Sequence, residues 1–224
     1  MVGKLYITAT PIGNLEDVTL RALRIFREVD YILCEDTRIT KRILQRYDIE
    51  NKRLVSYNAH STDKQHEKII SDLLAGKRIA LVSDAGTPGI SDPGVRLVGR
   101  AREAGASLEV IPGPSAVTAA LSLVGISGNK FTFLGFIPQK KGRETFLKNF
   151  HKIEIKPLVF FESTHRIIKL LSSLKQYQPH LNIYLARELT KINEEVLSGS
   201  PAELLDLLSS EVVKQKGEFV IICQ

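Results

Sequence analysis

The chain has 224 residues, of which 43% are hydrophobic and 25% charged, and its formal net charge is +6. This apolar fraction is enough for a substantial core and excludes a disordered chain, and the length fits one large domain or two small ones. No apolar run approaches the roughly 20 residues that cross a bilayer, and from the strand-like N-terminus we expect no signal peptide. We therefore expect a cytoplasmic protein with no membrane partner.

Strand and helix patterns alternate through the first half of the chain. Short apolar runs predict strands at 5–10, 31–34, 54–57, 78–83 and 108–111. Helical spacing of apolar residues predicts helices at 19–29, at 38–47, in a segment ending at Gly76, and at 95–104. Apolar strands separated by helices indicate βαβ crossovers and a parallel sheet that is covered on both faces.

The second half has a different rhythm. A small-residue helix at 115–124 follows Pro112-Gly113-Pro114, and a polar, basic stretch from Pro138 to about Lys152 has no predicted element. Strands are predicted at 131–136, 158–161, 183–188, 194–198 and 219–222, with helices at 166–177 and 202–213. Since no helix separates the third of these strands from the fourth, we expect an antiparallel hairpin and a mixed sheet. The sequence therefore predicts two α/β domains, residues 1–113 and 114–224.

Four loops that follow predicted strands are unusual, and ligands bind at the carboxyl ends of strands in such sheets. They are Thr10–Leu15, Glu35–Arg38, Ser83–Gly94 and Pro112–Ala116. The third has three Gly, two Pro and two Asp in twelve residues, whereas a plain connection needs about 2–6 residues. Its glycines allow close backbone approach to a ligand, and Asp84 can accept hydrogen bonds from an amine or a ribose hydroxyl. The alternative is a rigid turn in which Asp92 and Pro93 begin the next helix.

Several familiar sites are missing from the sequence. There is no G-x-x-x-x-G-K-[ST], which disfavours a P-loop nucleotidase. There is no G-x-G-x-x-G after the first strand, which disfavours an NAD site and a Rossmann-type methyltransferase. The histidines lack metal-ligand spacing, so no metal is expected. Cys34 and Cys223 lie far apart within apolar runs, which predicts two buried thiols and no disulfide.

Carboxylates and arginines stand together in two loops. In Glu35-Asp36-Thr37-Arg38, a carboxylate can act as a base, or Asp36 or Thr37 can cap the following helix. Glu162-Ser163-Thr164-His165-Arg166 has the same form, with Ser163 or Thr164 as the alternative cap. His165 is either a general base or a structural residue.

Basic residues cluster in two segments. One comprises Lys130, Lys140, Lys141, Arg143, Lys148, Lys152 and Lys156, and the other comprises Arg38, Lys41, Arg42, Arg46, Lys52 and Arg53. Such clusters bind phosphates or form a solvated basic face. Because the sequence shows no aromatic stacking platform, charge alone is a weak indication of nucleic-acid binding.

Taken in order, these loops resemble the signature of the bacterial ribosomal RNA small subunit methyltransferase I family. The resemblance runs from about residue 4 to 223, with one departure at Thr164, where relatives often carry proline. The strings that carry it are Leu5–Asp17, Cys34–Arg38, Ser83–Gly94, Ile111–Ala116, Gly135–Pro138, Phe161–Arg166, Ala186–Lys191 and Lys216–Phe219.

The resemblance implies a tetrapyrrole-methylase-like fold of two α/β domains, usually a homodimer, with S-adenosylmethionine in the interdomain cleft. The implied reaction methylates the ribose 2′-hydroxyl of a cytidine in the decoding region of small-subunit ribosomal RNA, in the assembled subunit. The implied cofactor contacts are Pro11, Ile12, Gly13, Asp84, Gly86, Pro88, Gly89, Ile90, Ser91, Ser115, Ala116, Phe161, Glu162, Ala186, Arg187, Glu218 and Phe219.

Methyl transfer from a sulfonium is an in-line displacement, so positioning supplies much of the catalysis. A base, or a cation that stabilises the developing alkoxide, would assist the weakly acidic hydroxyl, and no metal is required. The base candidates are Glu35, Asp36, Glu162 and Glu188, and the cation candidates are Arg38, Arg166, Arg187 and Lys191. Expected RNA contacts are Arg42, Arg46, Arg53, Lys140, Lys141, Arg143 and Lys148.

Two other functions remain open at this point. A small-molecule methylase acting on a tetrapyrrole precursor would have no need of the basic segment 130–156. A non-catalytic RNA-binding assembly factor would have no need of intact glycine-rich loops.

Overall fold

A computed structural model describes residues 3–92 and 94–224, so the predicted helix-starting role of Pro93 lies outside the described residues. The chain divides into two compact units, Met1–Ser115 and Ala116–Gln224. Within the described ranges, no helix has both the length and the apolar character that crossing a membrane requires.

In the described part of the first unit, five strands form a parallel sheet in the order β3-β2-β4-β1-β5. A short 3-10 helix at Leu15–Asp17 precedes the first α-helix. The elements are β1 (Lys4–Thr8), α1 (Leu20–Glu28), β2 (Tyr31–Cys34), α2 (Thr37–Arg46), β3 (Leu54–Ser56), α3 (Asp63–Leu74), β4 (Arg78–Leu81), α4 (Gly94–Glu103) and β5 (Ser107–Ile111).

Both faces of this sheet are covered, as predicted. Side chains alternate along a strand, so neighbouring residues of β2 enter different cores. Ile32 packs in a core with residues of α1 and α2. Leu33 packs in a second core with residues of α3 and α4. The near-continuous apolar strands thus reflect burial on two sides.

Strands β1 and β4 are neighbours whose onward connections run in opposite directions. β1 leads through α1 to β2, whereas β4 leads through α4 to β5. The two helices pack into different cores on opposite faces of the sheet. The carboxyl ends of β1 and β4 therefore flank a topological switch point, the place where open α/β sheets bind ligands.

In the described part of the second unit, a five-stranded sheet has the order β6-β7-β10-β8-β9. β6 pairs with β7 in parallel and the other pairings are antiparallel, so the predicted mixed sheet and hairpin are confirmed. The elements are α5 (Ala116–Val124), β6 (Thr132–Phe136), α6 (Arg143–Lys148), β7 (Leu158–Ser163), α7 (Ile167–Tyr177), β8 (Ile183–Arg187), β9 (Glu195–Gly199), α8 (Pro201–Ser210) and β10 (Glu218–Cys223).

Two segments of the second unit differ from the prediction. The basic stretch from Pro138 to Lys152 contains α6 and a 3-10 helix at Phe150–Lys152, whose buried Leu147 and Phe150 join the core. The helix predicted to reach residue 213 ends at Ser210, and a 3-10 helix at Val212–Gln215 follows it. Short helices with few apolar positions escape a search for helical periodicity.

Candidate functional site

The loops after β1 and β4 are fastened to each other at the switch point. The backbone N–H of Thr10 donates to the carbonyl of Gly86 at 2.9 Å, and the Gly86 N–H donates back at 3.1 Å. The Thr10 hydroxyl also donates to the carbonyl of Ser83 at 3.1 Å. Gly86 has φ +79°, and a Cβ there would lie 3.5 Å from a methyl of Ile12. Glycine thus allows the left-handed turn that brings the two loops together.

The loop after β5 joins the same group. The Thr87 hydroxyl donates to the carbonyl of Pro114 at 3.3 Å. Three loops at one edge of the first sheet therefore form a single hydrogen-bonded bay, which we call the switch-point bay. These loops carry the first-unit residues predicted to bind cofactor: Pro11, Ile12, Gly13, Asp84, Gly86, Pro88, Gly89, Ile90, Ser91 and Ser115.

Asp92 fixes the open turn of the loop after β4. Its Oδ1 accepts hydrogen bonds from Gly89 N at 2.7 Å and from Gly94 N at 3.0 Å. Gly89 has φ +90° and Ser91 has φ +69°, so two of three consecutive residues have a left-handed backbone conformation. Ile90, between them, is exposed. The loop is thus a rigid turn that carries a helix cap, and it also presents bare backbone and an apolar side chain.

Asp36 caps α2, which was the alternative to a catalytic role. Its carboxylate accepts from Arg38 N at 2.8 Å and from Arg38 Nε at 3.0 Å. The hydrogen bonds from the Arg38 side chain and backbone lower the pKa of Asp36 to about 2. A carboxylate with so low a pKa is a weak base.

Glu35 lies in the opposite electrostatic setting. Burial raises the pKa of Glu35 above its usual value, and the negative charges of Asp84 and Asp92 raise it further. Glu35 forms no ion pair with any of the residues that the structure describes. Of the four predicted bases, Glu35 therefore has the environment that best suits proton abstraction.

In the second unit, Glu162 is tied to cations. This buried carboxylate accepts from Arg166 Nε at 2.6 Å and from Ser163 N at 2.9 Å, and Arg143 Nη1 lies 3.9 Å from its other oxygen. Both of its oxygens face a guanidinium, so Glu162 serves to hold arginines better than to accept a proton. His165, the neighbour of Arg166 in the chain, is exposed.

The alternative reading of the loop before α7, a cap by Ser163 or Thr164, is not observed. Arg166 precedes the helix and makes no side-chain cap. The Thr164 hydroxyl instead donates to Gly217 O at 2.7 Å and accepts from Gly217 N at 2.8 Å. A hydroxyl both donates and accepts, so it satisfies both backbone groups of one glycine on the neighbouring segment.

Arg143 is not available for the predicted RNA contact. It is only 7% exposed, and its Nη1 donates to the carbonyl of Pro138 at 3.3 Å. Its other nitrogens, Nε and Nη2, are buried. An RNA phosphate cannot reach a guanidinium in this position from solvent.

Glu188, Lys191 and Glu218 form a cluster at the ends of β8 and β10. Lys191 Nζ lies 2.9 Å from a carboxylate oxygen of each glutamate. Burial lowers the pKa of Lys191, but the two carboxylates outweigh it and leave the pKa raised. Burial alone would raise the pKa of Glu188, but the bonds from Lys191 and Glu218 N leave it lowered. Lys191 is thus a fixed cation, and Glu188 is its partner.

Three other predicted cofactor residues of the second unit, Ala186, Arg187 and Phe219, belong to its interior. The buried Arg187 guanidinium donates to Glu195 at 2.7 Å and to the carbonyl of Lys216 at 2.7 Å, which explains its burial. Phe219 lies in the core, and Ala186 is buried. Phe161 is half-buried, whereas Glu218 is exposed and Ala116 begins α5.

The other predicted RNA contacts lie on the surface. Arg42 and Arg46 share the exposed face of α2 with Arg38, and Arg53 is exposed beside Tyr31. In the second unit Lys140, Lys141 and Lys148 are exposed, and Lys148 pairs with Glu144 at 2.6 Å. In the described ranges, no group of three or more His, Cys, Asp or Glu side chains is arranged to hold a metal ion.

Comparison with known proteins decides the family. Residues 4–205 match the family model described as Tetrapyrrole (Corrin/Porphyrin) Methylases. Ribosomal RNA small subunit methyltransferase I of Thermotoga maritima is 42% identical over 221 residues, which are 99% of this chain and 98% of that protein. The chain belongs to this methyltransferase family. Its relative of the same name in Xylella fastidiosa is 47% identical over 227 residues, 99% of this chain and 81% of the relative.

Solved structures with low sequence identity share the fold of this chain. Uroporphyrin-III-C-methyltransferase from Thermus thermophilus matches with a TM-score of 0.66 at 19% identity, over 98% of this chain and 94% of that chain. Diphthine synthase matches with a TM-score of 0.75 at 16% identity, over 98% of this chain and 88% of that chain. The tetrapyrrole-methylase-like fold that the sequence predicts is thus confirmed.

Proposed function

We propose that this methyltransferase transfers the methyl group of S-adenosylmethionine to the ribose 2′-hydroxyl of a cytidine in the decoding region of small-subunit ribosomal RNA. The observation that carries the proposal is the bridge between Thr10 and Gly86, which unites the loops at the switch point. A preorganised loop bay at this position suits a nucleoside-like ligand. The family membership supports the reaction and the class of acceptor.

The residues of the switch-point bay fit S-adenosylmethionine. Asp84 offers a carboxylate for a ribose hydroxyl or the amino-acid ammonium group. Gly89 presents backbone without a side chain, and the exposed Ile90 supplies apolar surface for an adenine ring. When bound, the cofactor supplies an electrophilic methyl group on a sulfonium. The chain's part is to hold donor and acceptor in line and to receive the hydroxyl proton.

We assign the proton-accepting role to Glu35. A ribose hydroxyl loses its proton more readily when a carboxylate of raised pKa is within reach. Glu35 has such a pKa, whereas Asp36, Glu162 and Glu188 are each bound by a cation.

The cysteines favour a ribose acceptor over a base carbon. Methylation at a base carbon commonly uses a cysteine thiolate as nucleophile. Burial raises the pKa of Cys34, and it raises the pKa of Cys223 to about 12. Both thiols are buried in strands and stay protonated and unreactive near neutral pH.

The finer features of the proposal concern substrate, assembly and location. We propose that the substrate is the assembled small subunit, that the enzyme acts as a homodimer, and that it works in the cytoplasm, where ribosomal subunits are found. The exposed basic face of α2, with Arg42 and Arg46, supports contact with RNA phosphates. No metal is part of the proposed mechanism.

Labelled methyl transfer tests the proposal. The purified protein is incubated with labelled S-adenosylmethionine and small subunits from cells lacking the enzyme, with naked ribosomal RNA and a tetrapyrrole precursor as parallel acceptors. We expect label in the subunit RNA. Label in the tetrapyrrole precursor alone would assign a small-molecule methylase, and RNA binding without transfer to any acceptor would indicate an assembly factor.

A further inference from the structure

The edge strand β6 contains a bulge that turns Phe136. Phe133 is opposite Val159 of β7, but Phe136 is opposite Phe161, so two residues of β6 face one residue of β7 between these pairs. Gly135, inside the bulge, has φ +61°, a conformation that favours glycine. Bulges of this kind re-aim side chains and occur often beside functional sites.

The bulge places three phenylalanine rings on one face of the sheet. In a regular strand Phe133 and Phe136, which are three residues apart, would point to opposite faces. Their ring centroids instead lie 5.1 Å and 5.5 Å from that of Phe161. Leu134 packs against the core of the unit. Phe136 is 51% exposed at the outer end of this row, so burial does not explain its position.

A cation lies over the exposed ring, and two more follow in the chain. The Arg166 guanidinium lies 5.6 Å from the centroid of Phe136. The buried Glu162 holds Arg166 Nε at 2.6 Å, which fixes the guanidinium beside the ring. Lys140 and Lys141 follow β6, and both are exposed and have no ion-pair partner among the described residues.

We propose that Phe136, together with Arg166, is a stacking platform for an unpaired base of the substrate RNA. An exposed aromatic ring beside a fixed guanidinium is the combination on which proteins stack single-stranded bases. The unpaired lysines match the charge of the adjoining phosphates. The inference rests on the proposed RNA substrate, and it supplies the aromatic platform that the sequence did not reveal.

Substitution of Phe136 tests the platform. Removal of one base stack in Phe136→Ala should weaken binding of a fluorescent single-stranded ribosomal RNA fragment by about 5- to 150-fold, and Phe136→Trp should retain or improve binding. Because stacking neutralises no phosphate, the dependence of affinity on salt should keep its slope. Ile155→Ala is the matched control, since Ile155 is apolar, 52% exposed and lies in the same basic segment.

Two further measurements distinguish an RNA platform from a cofactor contact and from a dimer contact at Phe136. Calorimetry with S-adenosylmethionine and light scattering of the free protein should give wild-type values for Phe136→Ala. Weakened cofactor affinity would make Phe136 a wall of the cofactor site, and dissociation of a dimer would make it a contact between copies. Either result, or unchanged RNA affinity, would overturn the platform. Wild-type protein that binds RNA but transfers no methyl group would overturn the proposed function alone.

Discussion

The backbone N–H of Asp36 donates a hydrogen bond to Oδ1 of Asp84 at 2.9 Å, which fastens the loop after β2 to the end of β4. This bond holds Glu35 beside the negative charge of Asp84, one of the causes of its raised pKa. A contact that positions a binding loop thus also tunes the candidate base. The carboxylate of Asp84 thus both fixes the loop after β2 and raises the pKa of Glu35.

Replacing Glu35 with glutamine should lower turnover. General bases contribute about 10²- to 10⁴-fold, so kcat for methyl transfer should fall within that range while the affinity for S-adenosylmethionine changes little. Wild-type kcat should rise with pH as Glu35 ionises, through a value above the usual 4.5. Asp36→Asn is the control, since asparagine still caps α2 and should cost far less activity. A kcat that is unchanged in Glu35→Gln would remove Glu35 from the mechanism.

The Glu35→Gln variant should be more stable than wild type at neutral pH. Because the pKa of Glu35 is raised in the fold, the folded chain binds its proton more tightly than the unfolded chain, and ionisation costs stability as pH rises. That cost is absent below the unfolded value near 4.5 and complete above the folded pKa. Thermal melting of both proteins across this range should show the advantage of glutamine growing with pH. If Glu35→Gln melted at a lower temperature than wild type at pH 8, the predicted direction of the stability change would be contradicted.

A large side chain at position 89 should block cofactor binding, while it should lower stability no more than the same change at a control glycine. Leucine at φ +90° is strained by roughly 1–2 kcal/mol. Gly105, which follows α4 and has φ +74°, is the control, because leucine there is strained to a similar degree and its Cβ would have no atom within 4 Å. Gly89→Leu and Gly105→Leu should therefore melt alike. Calorimetry should show at least about tenfold weaker S-adenosylmethionine binding in the first alone. Equal affinities would take Gly89 out of the site.

The parallel sheet and the position of the bay were predictable, because buried strands are continuous apolar runs and the long loop after β4 departs from an ordinary connection. The burial of Arg143 was not, since it depends on the carboxylate of Glu162, which lies outside the basic segment, and on a local bond to the Pro138 carbonyl. The bulge left one local signal. A glycine inside a strand, here Gly135, often marks such a feature.

Lys140 and Lys141 should contact RNA phosphates, and Arg143 should not. Changing both lysines to alanine should lower the slope of log affinity against log salt by about 0.7–0.9 for each phosphate that is no longer neutralised. Arg143→Met keeps the apolar stem of a buried residue and should leave the slope unchanged. Titrations of an RNA fragment at several salt concentrations measure all three proteins. A slope that changes only in the Arg143 variant would reverse the assignment.

Thr164 should stabilise the second unit through Gly217. Valine has nearly the same shape but offers no hydroxyl, so Thr164→Val leaves both backbone groups of Gly217 without their partner and should cost about 1–3 kcal/mol. Thr164→Ser keeps the hydroxyl and should be much milder. Denaturant unfolding measures the difference. Equal stability of the valine and serine variants would show that water replaces the hydroxyl.

Nucleoside analysis of the methylated RNA tests the central claim most directly. Small subunits from cells lacking the enzyme are treated with the protein and S-adenosylmethionine, and their RNA is digested to nucleosides for mass spectrometry. The account predicts one new product, cytidine carrying its methyl group on the ribose 2′-oxygen. A methyl group on the base, or on a nucleoside other than cytidine, would contradict it.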